Sequence, residues 1–128
     1  MPPTEQQRDA ALFLVRVSLF LGVALFGGVS WFLHHQGAPL PPAVPGLVYV
    51  PMVAVPAGFL GIVLVRMVRS QRTDPRQRAS LALIGWALGE APALAGGVYY
   101  YMSGDPRWLL IGTFVLLASF LLLPIRAD

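Results

Sequence analysis

Four runs of apolar residues, each close to the length of a bilayer crossing, take up most of this 128-residue chain. A hydrocarbon layer about 30 Å thick needs ~20 residues of helix, and the runs fall at about residues 10–33, 47–68, 79–102 and 108–125. Inside lipid no water is available to backbone N–H and C=O groups, so runs of this kind must be helical. The expected fold is therefore an all-α integral membrane protein, a single-domain, four-transmembrane-helix bundle with up-and-down connections. With 56% hydrophobic and 12% charged residues, and a mean hydropathy of +0.67, the chain lies outside the range of soluble domains.

Charge sets the expected orientation. All nine basic residues are arginine, and eight of them, Arg8, Arg16, Arg66, Arg69, Arg72, Arg76, Arg78 and Arg126, fall near run ends that share one side of such a bundle. Only Arg107 falls on the other. The positive-inside rule then makes both termini and the 69–78 connection cytoplasmic, as in a bacterial-type inner membrane. Trp31, Tyr49, Tyr99, Tyr100, Tyr101 and Trp108 gather at the opposite, outer headgroup level. The first run is longer than the apolar core of a cleavable leader, and Glu5 and Asp9 stand beside Arg8 ahead of it, so it reads as a retained helix. Arg69, Arg72, Arg76 and Arg78 are candidate contacts for anionic lipid, and the basic balance does not point to nucleic acid.

The polar residues 1–8 read as a terminal tail, and Arg126 as an anchor at the other end. The 34–46 connection holds four prolines and two glycines and suits a stiff, extended loop. His34 and His35 are adjacent, about 100° apart on a helix, which does not suit two axial ligands on one face; no metal site and no cofactor is expected. The absence of cysteine removes disulfides and thiolate metal sites. Asp74-Pro75 and Asp105-Pro106 read as helix starts, with aspartate capping free amides and proline in the first turn.

One residue reads as chemistry. Glu90 sits near the middle of the third run, where a carboxyl group is costly enough to need a reason. It is the candidate proton- or ion-binding group, with Arg16 of the first run as a possible charge partner. Around it, Ala82, Gly85, Gly89, Ala93 and Gly96 follow spacings of three and four and draw a groove of small residues along one side; Ala54, Gly58 and Gly61 do the same in the second run. These are the expected helix-packing faces.

Residues 66–102, an Arg-rich polar turn containing Asp74-Pro75, an Ala/Leu/Gly helix, a mid-membrane Glu90 followed by Ala91, and an end bearing Tyr99, resemble the polar loop and carboxylate helix of rotary ATP synthase proteolipid (c) subunits. The resemblance implies a ring-forming oligomer in which the carboxyl at the place of Glu90 binds the translocated proton or sodium ion. Helices 1 and 4 have no counterpart in a hairpin member of that family. The residues themselves contain no paired carboxylates, no Ser/His/Asp set and no metal-spaced histidines, so no enzyme is expected. The leading functional expectation is a non-enzymatic accessory or structural subunit that packs through its Gly/Ala-lined helices against itself or a larger membrane complex. The alternative is proton or cation translocation through Glu90.

Overall fold

The computed structural model describes residues 4–125, and Arg126, expected as an anchor, and the first three residues of the expected tail lie outside them. Among the described residues the chain is helical with no strand: α1 (Glu5–His35), α2 (Tyr49–Ser70), α3 (Pro75–Ser103) and α4 (Arg107–Leu122). The first three are long and apolar enough to cross a membrane. At 16 residues α4 spans about 24 Å, short of a full hydrocarbon layer.

Local chemistry sets the ends. α1 begins earlier than the apolar run because Thr4 and Gln7 form a capping box: the Thr4 hydroxyl accepts from the Gln7 amide at 3.2 Å, and the Gln7 side chain accepts from the Thr4 amide at 2.9 Å. Residues 5–8, read from sequence as tail, are thus the first turns of a 31-residue helix. α3 starts as its Asp-Pro pair requires, with Asp74 accepting from the Arg76 amide at 3.0 Å and Pro75 in the first turn. It stops at Gly104, whose φ of 79° lets its amide turn back to the Tyr100 carbonyl. The second Asp-Pro pair is shifted by one place: Pro106 holds the cap position, and Asp105 accepts from the Arg107 amide at 3.1 Å. α4 ends at Leu122 and not at 125, because Pro124 has no N–H for the Phe120 carbonyl and cannot continue the helix.

α3 is the centre of the bundle and packs on all three other helices, whereas the backbones of α1 and α2 do not come close to each other. Its glycines set the register. The small-residue face is filled by α4, running antiparallel: Gly85 lies on Leu123, Gly89 on Ser119 and Leu116, and Gly96 on the Trp108 backbone. From the other side Gly112 of α4 presses on Pro92 and Ala93 of α3, so the two backbones approach as closely as glycine permits. Gly58 and Gly61 of α2 lie against Leu88 and Pro92 in the same way. Ala82 and Ala93 are fully buried, and Ala54 is half-buried.

The core is correspondingly small. Leu12, Ile62, Ala82, Trp86, Val115 and Leu123 form its main cluster, with Val23, Ala93 and Leu116 beside it. Most large apolar side chains point outward instead, Leu14, Leu25, Phe114 and Leu121 among them at 63–82% exposure. An apolar surface that continuous is incompatible with a water-exposed monomer and compatible with a bilayer.

Candidate functional site

Glu90 lies halfway along α3, on the side that carries Trp86 and Gly97 and turns toward α1. It is half-buried, and among the described residues no hydrogen bond or ion pair engages its carboxylate. Pro92, two residues on, frees the Leu88 carbonyl from its helical donor. Gly58 covers that oxygen: a Cβ built on Gly58 would stand 2.9 Å from it.

The structure does not bring Arg16 to Glu90. About three turns into α1, the Arg16 guanidinium crosses to the end of α4 and donates to the Phe120 carbonyl and, at 3.1 Å, to the Leu123 carbonyl. Its charged carbon lies 4.8 Å from the centre of the Trp86 ring and 5.0 Å from that of Phe120. The reason is the break at Pro124. The Phe120 carbonyl is the one that Pro124 leaves without a helical donor, and a cation suits the negative end of a helix dipole.

Two more side chains finish this cap. The Trp86 indole N–H donates to the Leu123 carbonyl at 2.9 Å, and its fully buried ring meets Phe120 edge-on. Arg69, from α2, donates to the Pro124 carbonyl at 2.7 Å and to the Arg78 carbonyl at 3.2 Å. Expected among the lipid headgroups, Arg69 is instead only 4% exposed. It follows Gly58 and Ile62 on the packed face of α2, at helical spacing, and so enters the bundle. Three helices thus converge on the last carbonyls of the fourth. Among the described residues Arg16 Nε is buried without a partner, and both guanidinium hydrogen bonds come from one terminal nitrogen.

The other arginines divide in two groups. Arg78 donates to the Arg72 carbonyl at 3.1 Å and pins the short α2–α3 turn. Arg8 is half-buried, and Arg72 and Arg76 are exposed, with no side-chain hydrogen bond or ion pair to described residues. At the opposite end His34 Nε2–H donates to the Tyr100 carbonyl at 3.0 Å, tying α1 to α3. His35 turns back onto its own helix, against Trp31. No group of three or more metal-ligating side chains occurs among the described residues.

Sequence reasoning paired Arg16 with Glu90 and missed the cap. The available signal was Pro124 close behind a lipophilic helix, which announces an unpaired carbonyl. No family model, curated protein or solved structure matches the chain.

Proposed function

We propose that this chain is a non-enzymatic accessory subunit of a membrane, a four-helix protein that offers one helix face to a transmembrane partner, either a second copy or a helix of a larger complex. In this reading both termini and the arginine-rich end are cytoplasmic, in an inner (plasma) membrane of bacterial type, and α4 completes a fourth crossing. The observation that carries the proposal is the outward side of α1. The grooves of α2 and α3 are filled from within the chain, but a Cβ at Gly22 or Gly28 would meet nothing within 4 Å. Ser18 with Gly22, and Ala24 with Gly28, are exposed pairs four residues apart. Such pairs let a neighbouring helix approach closely, while in lipid alone glycine only weakens the helix. The test is cross-linking in native membranes from positions beside Gly22 and Gly28, with Gly22→Ile and Gly28→Ile as variants. Loss of the cross-linked species with unchanged monomer stability supports the reading. A chain that stays monomeric and uncross-linked in its own membrane overturns it.

One observation favours a second reading, ion carriage: Glu90 lacks any partner among the described residues. An ion-carrying carboxyl must be free to exchange. Proton or sodium flux in reconstituted vesicles that disappears in Glu90→Gln would establish this role; wild-type vesicles without flux would end it.

A further inference from the structure

Two grooves flank the first turns of α3 at the arginine-bearing end of the bundle. One, of about 410 Å³, runs between α1 and α3 and is lined by Arg8, Ala11, Val15, Arg76, Ala79 and Leu83 among others. The second, of about 390 Å³, lies between α2 and α3 and is lined by Val68, Arg72, Arg76, Gln77, Ser80 and Leu81. Arg76 and Ser80 belong to both. The grooves exist because α1 and α2 pack on α3 with their backbones apart, which leaves the outward strip of α3 as a shared floor.

Their chemistry is graded. At the helix ends stand three guanidinium groups, those of Arg8, Arg72 and Arg76, none with a hydrogen bond or ion pair to a described residue. From Arg76 to Leu83 the floor descends by about 10 Å of helix, and the α1–α3 walls there are apolar. Among the described residues no carboxylate lines either groove. The neighbouring cavity at the same end differs, since Glu5 and Asp9 line it beside Arg8, Arg69 and Arg78. The two grooves thus differ from that cavity in presenting cations without described acids.

We infer that this surface binds one anionic diacyl phospholipid, with its phosphate on Arg76 between Arg8 and Arg72 and an acyl chain along the α1–α3 groove. The match is one of charge and depth together. Arginine forms bidentate hydrogen bonds to phosphate, and the apolar floor begins directly below it. Arg69 and Arg78 are excluded from the site because their guanidinium groups are engaged by backbone carbonyls. The inference rests on the membrane placement proposed above and not on any protein partner. Recovery of the chain in the membrane fraction tests that placement separately.

The protein reconstituted in equal amounts of phosphatidylglycerol and phosphatidylcholine with identical chains, then released in mild detergent, is examined by native mass spectrometry. One phosphatidylglycerol per chain is expected in preference to phosphatidylcholine. Arg8→Gln and Arg76→Gln each lower its retention by about fivefold, the effect of one basic side chain at an anionic surface; Arg107→Gln, at the other end, leaves it unchanged. Ala11→Trp keeps every charge but fills the α1–α3 groove, and is expected to lower retention too. Equal retention of the two lipids overturns the inference. So does retention that survives Ala11→Trp, because charge without the groove would then suffice.

Discussion

Replacing Arg16 by methionine separates two accounts of a half-buried arginine. The substitution keeps length and helix propensity but removes the donor to the Phe120 and Leu123 carbonyls and the cation over Trp86 and Phe120. Hydrogen bonds to a charged group contribute about 1.5–3 kcal/mol each, net of desolvation, and a desolvated cation–π contact up to about 2 kcal/mol. The losses are unequal. Leu123 keeps the bond from Trp86, whereas the Phe120 carbonyl, opposite the missing N–H of Pro124, is left with no donor. A net destabilisation of about 2–4 kcal/mol follows, with Arg16→Lys in between because an ammonium keeps the charge but not the planar guanidinium that lies over the Trp86 and Phe120 rings. Unfolding in bicelles, followed by near-ultraviolet circular dichroism of the tryptophans, gives the free energy and reports on the Trp86 environment. If Arg16 merely reached for the headgroups, its removal would take a charge out of an apolar helix and stability would hold or rise. That result would refute the cap.

Further outcomes follow from the packing and from the polar turn. Gly112→Val sets a branched side chain against the Pro92 carbonyl and against Ala93 Cα, 2.6 Å from the new Cβ; both are backbone atoms that cannot move aside, so a loss of about 3 kcal/mol or more is expected in the same unfolding assay. Gly22→Ala meets no atom within 4 Å and should raise monomer stability by about 0.5–1 kcal/mol. Asp105 is held below the usual carboxylate range, chiefly because the Arg107 side chain and amide hydrogen-bond to it. A lowered folded-state pKa means a contribution present above the unfolded value of about 3.9 and lost as pH falls through the folded one. The stability gap between wild type and Asp105→Ala should therefore be open near pH 6 and close in acid; a gap independent of pH would contradict it.

The helices were legible because their signal is local. Apolar runs, Asp-Pro starts and small-residue spacing all act within a few turns, and each marks an element that the chain forms. The start of α1 was missed: Thr4-Glu5-Gln6-Gln7 carries a capping-box pattern, but the polarity of those residues reads as a tail. The partners were not legible. Spacing identifies Gly85, Gly89 and Gly96 as a close-packing face, but nothing in it says that α4 of the same chain fills that face. Arg16 and Arg69 look alike in sequence to any arginine near a membrane surface. Their placement depends on carbonyls 104 and 55 residues away, at a helix end set by Pro124.

Proline is the common cause behind both features of the bundle that a simple four-helix pattern does not explain. Each proline inside or just after a helix opens one carbonyl, and in an apolar interior that oxygen must be covered or bonded. Pro92 opens Leu88, and α2 responds with a glycine, so that the Gly58 backbone closes over it. Pro124 opens Phe120, and α1 responds with a charged donor carried in from about three turns away. If these are repairs of specific vacancies, they should be conditional on the prolines. Pro124→Ala restores an N–H to Phe120 and allows α4 another turn, so Arg16→Met should cost markedly less in that background than in the wild type. The difference between the two costs isolates the repair from the stacking over Trp86, which Pro124→Ala leaves in place. Equal costs in both backgrounds would mean that the arginine is held by the aromatic rings and that the carbonyl at the break is incidental.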